Sequence, residues 1–448
     1  DSVASRGLGD VYKRQEWNET NSDYRPDDLT RFGGAMGQGG NSPPVKGRLN
    51  SNELYMEAYL PLVEGRTGVD SLALEAGLRY ADTNLSGSFE AWKAGLEYAP
   101  IGGLRFRTMF QRAVRAANIG EQFSPFSYGL TEIRSDPCAG SAPVTNAALR
   151  AKCIAQGVPA AQIGSVNNPA AQQAASISSG AVAAGLKLKP ETADTFTVGL
   201  QVTPDSMPGF IASVDYYKID LKDGIGSYGA QEVIDNCFVN NISSFCSLVK
   251  RNGLGELEGD GFGIILDTRN LAKLKAEGID YAVSYTTDVS AVKVNIGLAG
   301  THTLKNSFKS SPTSPVIECT GEYGDTCGNP LSQDRVNLNL SGTWRAFTAS
   351  VLVRYLSAVN ATARLDDPEQ TGASIYTIEK IPAFSYVDLS LQYNWNDALK
   401  VTLAAQNLLD KDPTIVGQIP GANTSMNAYA DVYDPLGTKF SLGLTYKF

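Results

Sequence analysis

Histidine is almost missing from this chain of 448 residues: His302 is the single one. A metal centre built on imidazoles, a histidine-bearing triad or a histidine proton relay therefore has one ring at most to work with. Long apolar runs are missing as well. No stretch of eighteen or more apolar residues occurs, which excludes a membrane-spanning helix. It does not exclude spanning strands, each of which needs only about ten alternating residues. Basic charge is in deficit: Lys+Arg 38 against Asp+Glu 47 leaves a net −9. That balance argues against a nucleic-acid partner. Charged residues make up only 19% and hydrophobic residues 42%, which excludes a disordered chain. No basic start followed by an apolar core opens the sequence, so no signal peptide is visible.

What is present is alternation of period two, almost throughout. At the C-terminus Phe440, Leu442, Leu444, Tyr446 and Phe448 share one face, and Ser441, Gly443, Thr445 and Lys447 the other. The same pattern recurs at Val387–Trp395, Phe347–Tyr355, Val336–Leu340, Val292–Leu298, Phe196–Val202, Phe210–Tyr216 and Leu72–Tyr80. About thirteen strands are predicted, at 50–62, 70–82, 87–99, 103–114, 190–203, 209–223, 262–287, 292–305, 333–345, 347–358, 383–395, 399–409 and 437–448. Short turns such as Pro100–Gly103 and Pro204–Pro208 alternate with long loops at 115–189, 224–261, 306–332, 359–382 and 410–436. Tyr80, Tyr98, Trp344, Tyr355, Trp395 and Tyr446 fall near strand ends. Length alternation plus an aromatic girdle favours an antiparallel transmembrane β-barrel over a soluble sandwich.

Six cysteines form three local pairs: Cys138/Cys153, Cys237/Cys246 and Cys319/Cys327. None has the CxxC spacing of a zinc or redox site. Each pair lies in a loop-like segment, so three loop-closing disulfides in an oxidising compartment are favoured over six unrelated thiols.

Here four segments carry a resemblance. Phe110–Pro125 (FQRAVRAANIGEQFSP), Leu188–Leu200 (LKPETADTFTVGL), Asn270–Tyr285 (NLAKLKAEGIDYAVSY) and Val401–Asp412 (VTLAAQNLLDKD), with the closing Tyr446-Lys447-Phe448, resemble strands of TonB-dependent outer-membrane receptors in order and spacing. The resemblance covers roughly residues 50–448. It implies a barrel of about twenty-two strands around an N-terminal plug. It also implies the outer membrane of a Gram-negative bacterium, lipid around the wall and a small-molecule ligand above it. Through the plug it implies the TonB–ExbB–ExbD complex as energy source. On this reading the chain is the C-terminal part of the barrel, without plug or TonB box.

Three further expectations follow. The first fifteen residues, DSVASRGLGDVYKRQ, resemble adapter-derived translations and are set aside as non-native. Residues 16–49 are read as an external loop. Tyr446 and terminal Phe448 resemble the signal read by barrel-assembly machinery, or are plain lipid-facing residues.

Candidate contact residues lie along two strands. Arg105, Arg107 and Gln111 are assigned to the lumen because Leu104, Phe106 and Phe110 take the lipid side. Arg112 and Arg115 continue toward the strand's exit. Glu75 and Arg79 face the same way on a neighbouring strand and are positioned to pair across the wall. These residues would meet a plug, an anionic ligand or solvent.

No cofactor, metal or catalytic group is expected. The acidic clusters Asp366-Asp367, Glu256/Glu258/Asp260 and Asp27-Asp28 lie in predicted loops, and loop carboxylates are usually solvated. His302 reads as an ordinary strand-end residue. A passive porin would share every strand signal, and a secreted carbohydrate-binding β-protein would share the alternation and disulfides.

Overall fold

The structure is a computed structural model that describes residues 10–32, 41–133, 135–169, 174–324, 326–362, 378–417 and 427–447. Fourteen strands form one continuous antiparallel wall. In chain order they are β1 (Asp10–Tyr24), β2 (Val45–Arg66), β3 (Val69–Thr83), β4 (Gly87–Ile101), β5 (Leu104–Arg115), β6 (Glu191–Val202) and β7 (Phe210–Gly226). Then follow β8 (Arg269–Val289), β9 (Val292–Lys309), β10 (Asp334–Trp344), β11 (Phe347–Leu356), β12 (Phe384–Asn394), β13 (Leu399–Gln406) and β14 (Lys439–Tyr446). Each pairs antiparallel with the next, across short and long connections alike. Among the described residues β1 and β14 do not pair with each other, so the sheet is not closed.

The register converts the sequence alternation into two chemically distinct faces. Ile296, Leu340, Val351, Leu389 and Ala405 stand directly across from one another on five successive strands. One residue away, Asn295, Ser341, Ser350, Ser390, Ala404 and Ser441 form the matching row on the other face. A one-residue slip would exchange the rows, so the pattern itself fixes the register. The apolar face leaves Leu54, Leu78, Phe106, Phe110, Val198, Leu403, Leu442 and Leu444 exposed. That is far more apolar surface than a water-facing sheet carries.

Strand ends on one side are joined tightly. Gly103, in the β4–β5 turn, has φ 77°. A Cβ there would collide with the Thr203 carbonyl, so glycine is required twice over. On the other side the connections are long, apart from the three-residue turn between β3 and β4, and two groups of them fold into bodies of their own. In the first, the segments between β5 and β6 and between β7 and β8 share a four-stranded sheet ordered Val249–Lys250, Gly263–Asp267, Ala174–Ser179, Ser127–Thr131. Helices Ala147–Ala155 and Ala230–Phe238 pack there around Val158, Val233, Ile234, Leu257 and Ile264. In the second, loops between β9 and β10, β11 and β12, and β13 and β14 bury Tyr323, Val359, Ile381, Tyr429 and Tyr433 against Phe384 and Tyr386.

Two expectations change. Residues 16–49 are not a continuous loop: Asp10–Tyr24 is a strand paired along its whole length with β2. Its apolar-face positions are Val11, Lys13, Gln15, Trp17 and Glu19, so backbone hydrogen bonding builds it without an apolar alternation to signal it. The strand expected over 262–287 is two strands. It breaks at Thr268, whose amide and hydroxyl both donate to the Ser179 carbonyl, leaving Gly263–Asp267 in the loop body and β8 in the wall.

Candidate functional site

The polar face of β2–β7 carries most of the candidate residues, and cross-strand ion pairs organise it. Arg107 on β5 grips Asp215 on β7 with two hydrogen bonds of 2.8 and 2.6 Å. These strands are not neighbours. Gly199 on β6 lies directly between the two residues, and a Cβ at that position would strike the Asp215 carboxylate. Glycine therefore opens a gap through which a long cation reaches a carboxylate two strands away. The device recurs at Gly77 on β3, which separates Lys93 on β4 from Glu57 on β2. Lys93 spans that gap to Glu57 at 3.1 Å and also binds Glu75 at 2.7 Å.

The other candidates are held as well. Arg79 pairs with Glu53, Arg105 approaches Glu97 at 3.7 Å, and Gln111 stands directly across from Lys93. At the loop end Arg115 binds Glu121 at 2.9 Å and Glu191 at 2.5 Å. Glu121 is fixed in turn by a reciprocal capping arrangement with Asn118 at the start of a short helix, Ile119–Phe123. The Arg115 pairs thus tie the wall to the first loop body. Two adjoining clefts of ≈ 500 and ≈ 470 Å³ lie on this face, and both are lined by Arg79, Ala91 and Ala113.

Glu75 and Arg79 each pair across to a neighbouring strand, Glu75 with Lys93 on β4 and Arg79 with Glu53 on β2. One assignment is corrected. Arg112 is not on the lumen-type face. It follows Gln111 by one residue, and period two places it on the apolar face, across from Trp92 and paired with Asp194 at 2.7 Å.

The loop bodies hold further groups. All three expected cysteine pairs are bonded, with Cα separations of 5.6 Å for Cys138–Cys153, 4.7 Å for Cys237–Cys246 and 5.5 Å for Cys319–Cys327. Asp136 and Arg251, both with fully buried side chains, make a two-pronged ion pair of 2.5 and 2.7 Å inside the first body. Sequence reading missed this pair, because 115 residues separate the partners and neither sits in a motif. Between that body and the wall is a cleft of ≈ 380 Å³ lined by Glu121, Ser124, Ser127, Ser178, Ser227 and Thr268 among others. In the second body burial pushes the Tyr323 and Tyr433 hydroxyls up to about 12. Burial also raises the carboxyl of Glu322 above its ordinary value.

His302 lies at 2.6 Å from Asp334 on the neighbouring strand, on the apolar-face side. Asp27 caps a short helix by accepting from the Thr30 amide, and Glu256 accepts from Asn167 at 2.9 Å. Asp366, Asp367 and Phe448 lie outside the described residues. Tyr446 is exposed on the apolar face, across from Leu399. Among the described residues no group of three or more His, Cys, Asp or Glu is arranged to hold a metal ion.

A meandering antiparallel wall with one apolar and one ion-paired face, tight turns at one end and folded loops at the other, is the wall of a β-barrel that crosses a membrane. The family model for the β-barrel of TonB-dependent receptor-like proteins matches residues 4–408, and the chain belongs to that family of Gram-negative outer-membrane receptors and transporters. Members of the family are not enzymes. Among solved structures, the ferric enterobactin receptor of Pseudomonas aeruginosa aligns with TM-score 0.64 at 17% identity, covering 100% of this chain and 53% of its own. The siderophore receptor PirA from Acinetobacter baumannii gives 0.61 at 14%, with 100% and 53% covered. The FrpB iron transporter from Neisseria meningitidis gives 0.54 at 12%, with 100% and 54% covered. The chain thus spans about half the length of these structures. No curated protein matches the sequence.

Proposed function

We propose that the chain supplies wall and external loops of an outer-membrane receptor that imports a scarce small molecule, driven by the TonB complex. The observation that carries this reading is the two-faced wall with folded loop bodies gathered at one end. The apolar face meets lipid, the loop bodies face the cell exterior, and the polar face lines the import route. A ferric siderophore is the ligand class we favour, because the solved relatives include receptors for such ligands.

The candidate residues then divide by role. Arg105, Arg107, Gln111, Glu75 and Arg79 present a preset pattern of paired charge to whatever fills the lumen, a plug or a passing ligand. Paired cations hold an anion less tightly than free ones do, which favours a surface that a plug can dock on and leave. Tyr446 ends the lipid-facing strand β14, where assembly machinery would engage the chain, with Phe448 as the second residue of that signal. The serine-lined cleft beneath the first loop body is the place we assign to first contact with ligand, since its hydroxyls both donate and accept.

The test is uptake of radiolabelled ferric siderophores by iron-starved cells carrying or lacking the gene, with and without a working TonB protein. Uptake that needs both supports the reading. Uptake that needs the gene but not TonB would make the protein a passive porin. Release of the protein from membranes by alkaline carbonate without detergent would remove the membrane reading itself.

A further inference from the structure

On the apolar face the upper ends of four strands change character abruptly. Below lie Phe196, Val198, Val214 and Ile279. Above them β7 contributes Lys218 and Lys222, β8 Lys273 and Lys275, and β9 Lys305 and Lys309. Among the described residues four carboxylates share this surface against those six lysines: Asp194, Asp220, Glu277, which stands across from Lys218 and Lys305, and Glu318, which stands across from Ser307. In a chain of net charge −9, this is a local reversal of sign.

The lysines are also poorly matched from within. Lys222 reaches Asp194 at 3.5 Å and Lys275 reaches Asp220 at 3.8 Å. Among the described residues no ion pair is formed by Lys218, Lys273, Lys305 or Lys309. Lys273 stands directly across from Lys309, an arrangement that repels unless an anion screens it. On the polar face, by contrast, Arg79, Lys93, Arg107 and Arg115 are each held by a carboxylate. The described residues thus leave an excess of cations on this band. It sits just above the apolar rows, level with the headgroups of the leaflet on the loop side. Lysine stems lie along apolar surface while their ammonium groups reach such headgroups.

We propose that this band binds phosphate-bearing lipid headgroups of that leaflet and fixes the wall's depth and orientation in it. The proposal rests on the membrane reading above. Carbonate release would overturn that reading, whereas the experiment below addresses the band alone.

The receptor, in neutral maltoside micelles, is titrated with dimyristoyl phosphatidic acid and bound lipid is counted by native mass spectrometry. Replacing Lys218, Lys273, Lys305 and Lys309 by Gln should weaken binding by at least roughly tenfold, since each cation near an anionic surface adds attraction. Replacing the same four by Arg should preserve it. Dimyristoyl phosphatidylcholine should not compete, and added salt should weaken binding to the unaltered protein. Equal binding by the Gln variant, or binding that salt does not touch, would overturn the proposal. Displacement by inorganic phosphate at equal concentration would overturn the lipid assignment and leave a simple anion site. Should the Gln variant not fold, the salt and phosphatidylcholine arms decide alone.

Discussion

Gly199 shows how much one residue governs on the polar face. Its missing side chain lets the Arg107 guanidinium cross β6 to Asp215. Both partners stay partly open to solvent, at 48% and 23% side-chain exposure, so the pair by itself contributes at most about 1 kcal/mol. A methyl group at 199 is a different matter, because it occupies the space of the carboxylate. Gly199→Ala is expected to destabilise the wall by about 1–3 kcal/mol through overpacking. Most of that cost should vanish when Asp215→Ala is added. Thermal unfolding of the single and double variants measures the coupling, and strictly additive losses would show that the glycine has no such role.

Elements respond differently from residues because the loop bodies and the wall are held by different forces. The wall rests on backbone ladders, and the first loop body on a small core stitched by disulfides. Converting Cys138 and Cys153 to Ser opens a loop of 15 residues' separation and should cost that body about 3 kcal/mol. Limited proteolysis should then cut within 132–169, while the wall keeps its resistance to unfolding in detergent. The second body has a pH limit. Tyr323 and Tyr433 are neutral in their burial sites, and their folded values of about 12 lie above the ordinary 10.0. A raised value means that the stability is complete below pH 10 and is lost as pH climbs through about 12. Tyrosinate absorbance should show two late-titrating groups, followed by exposure of the aromatic cluster. Elements were also where sequence reading erred. Thirteen of the fourteen wall strands announced themselves by alternation. β1 did not, since Lys13, Gln15 and Glu19 occupy its apolar-face positions and only its hydrogen bonds to β2 reveal it.

At the scale of the whole molecule the open sheet dominates. β1 pairs with β2 and β14 with β13, and each leaves its other edge unsatisfied within the described residues. Unpaired ladder groups cannot remain exposed to hydrocarbon and associate readily in water. Refolded by itself into detergent, the chain of 448 residues should therefore form edge-to-edge oligomers, visible as a mass above that of a monomer in light scattering. A monodisperse monomer would mean that the two edges meet and close a narrower barrel.

By itself the sequence determined thirteen of the fourteen strands of the wall. Alternation at Phe440–Tyr446, Phe347–Tyr355 and Val292–Leu298 sets strand identity, register and the two faces, because period two is a local property of neighbouring residues. It determined the cysteine pairing for the same reason, as each pair closes a short loop. Tertiary structure alone decided what depends on distant partners. Glu75 is claimed by Lys93 and Arg79 by Glu53, and Arg112 turns to Asp194 on the opposite face from Gln111. Asp136 finds Arg251, and loops far apart in the chain share a sheet and a core. Ion pairs and loop bodies form between groups that only the completed fold brings within reach, and no local pattern records which partner is nearest.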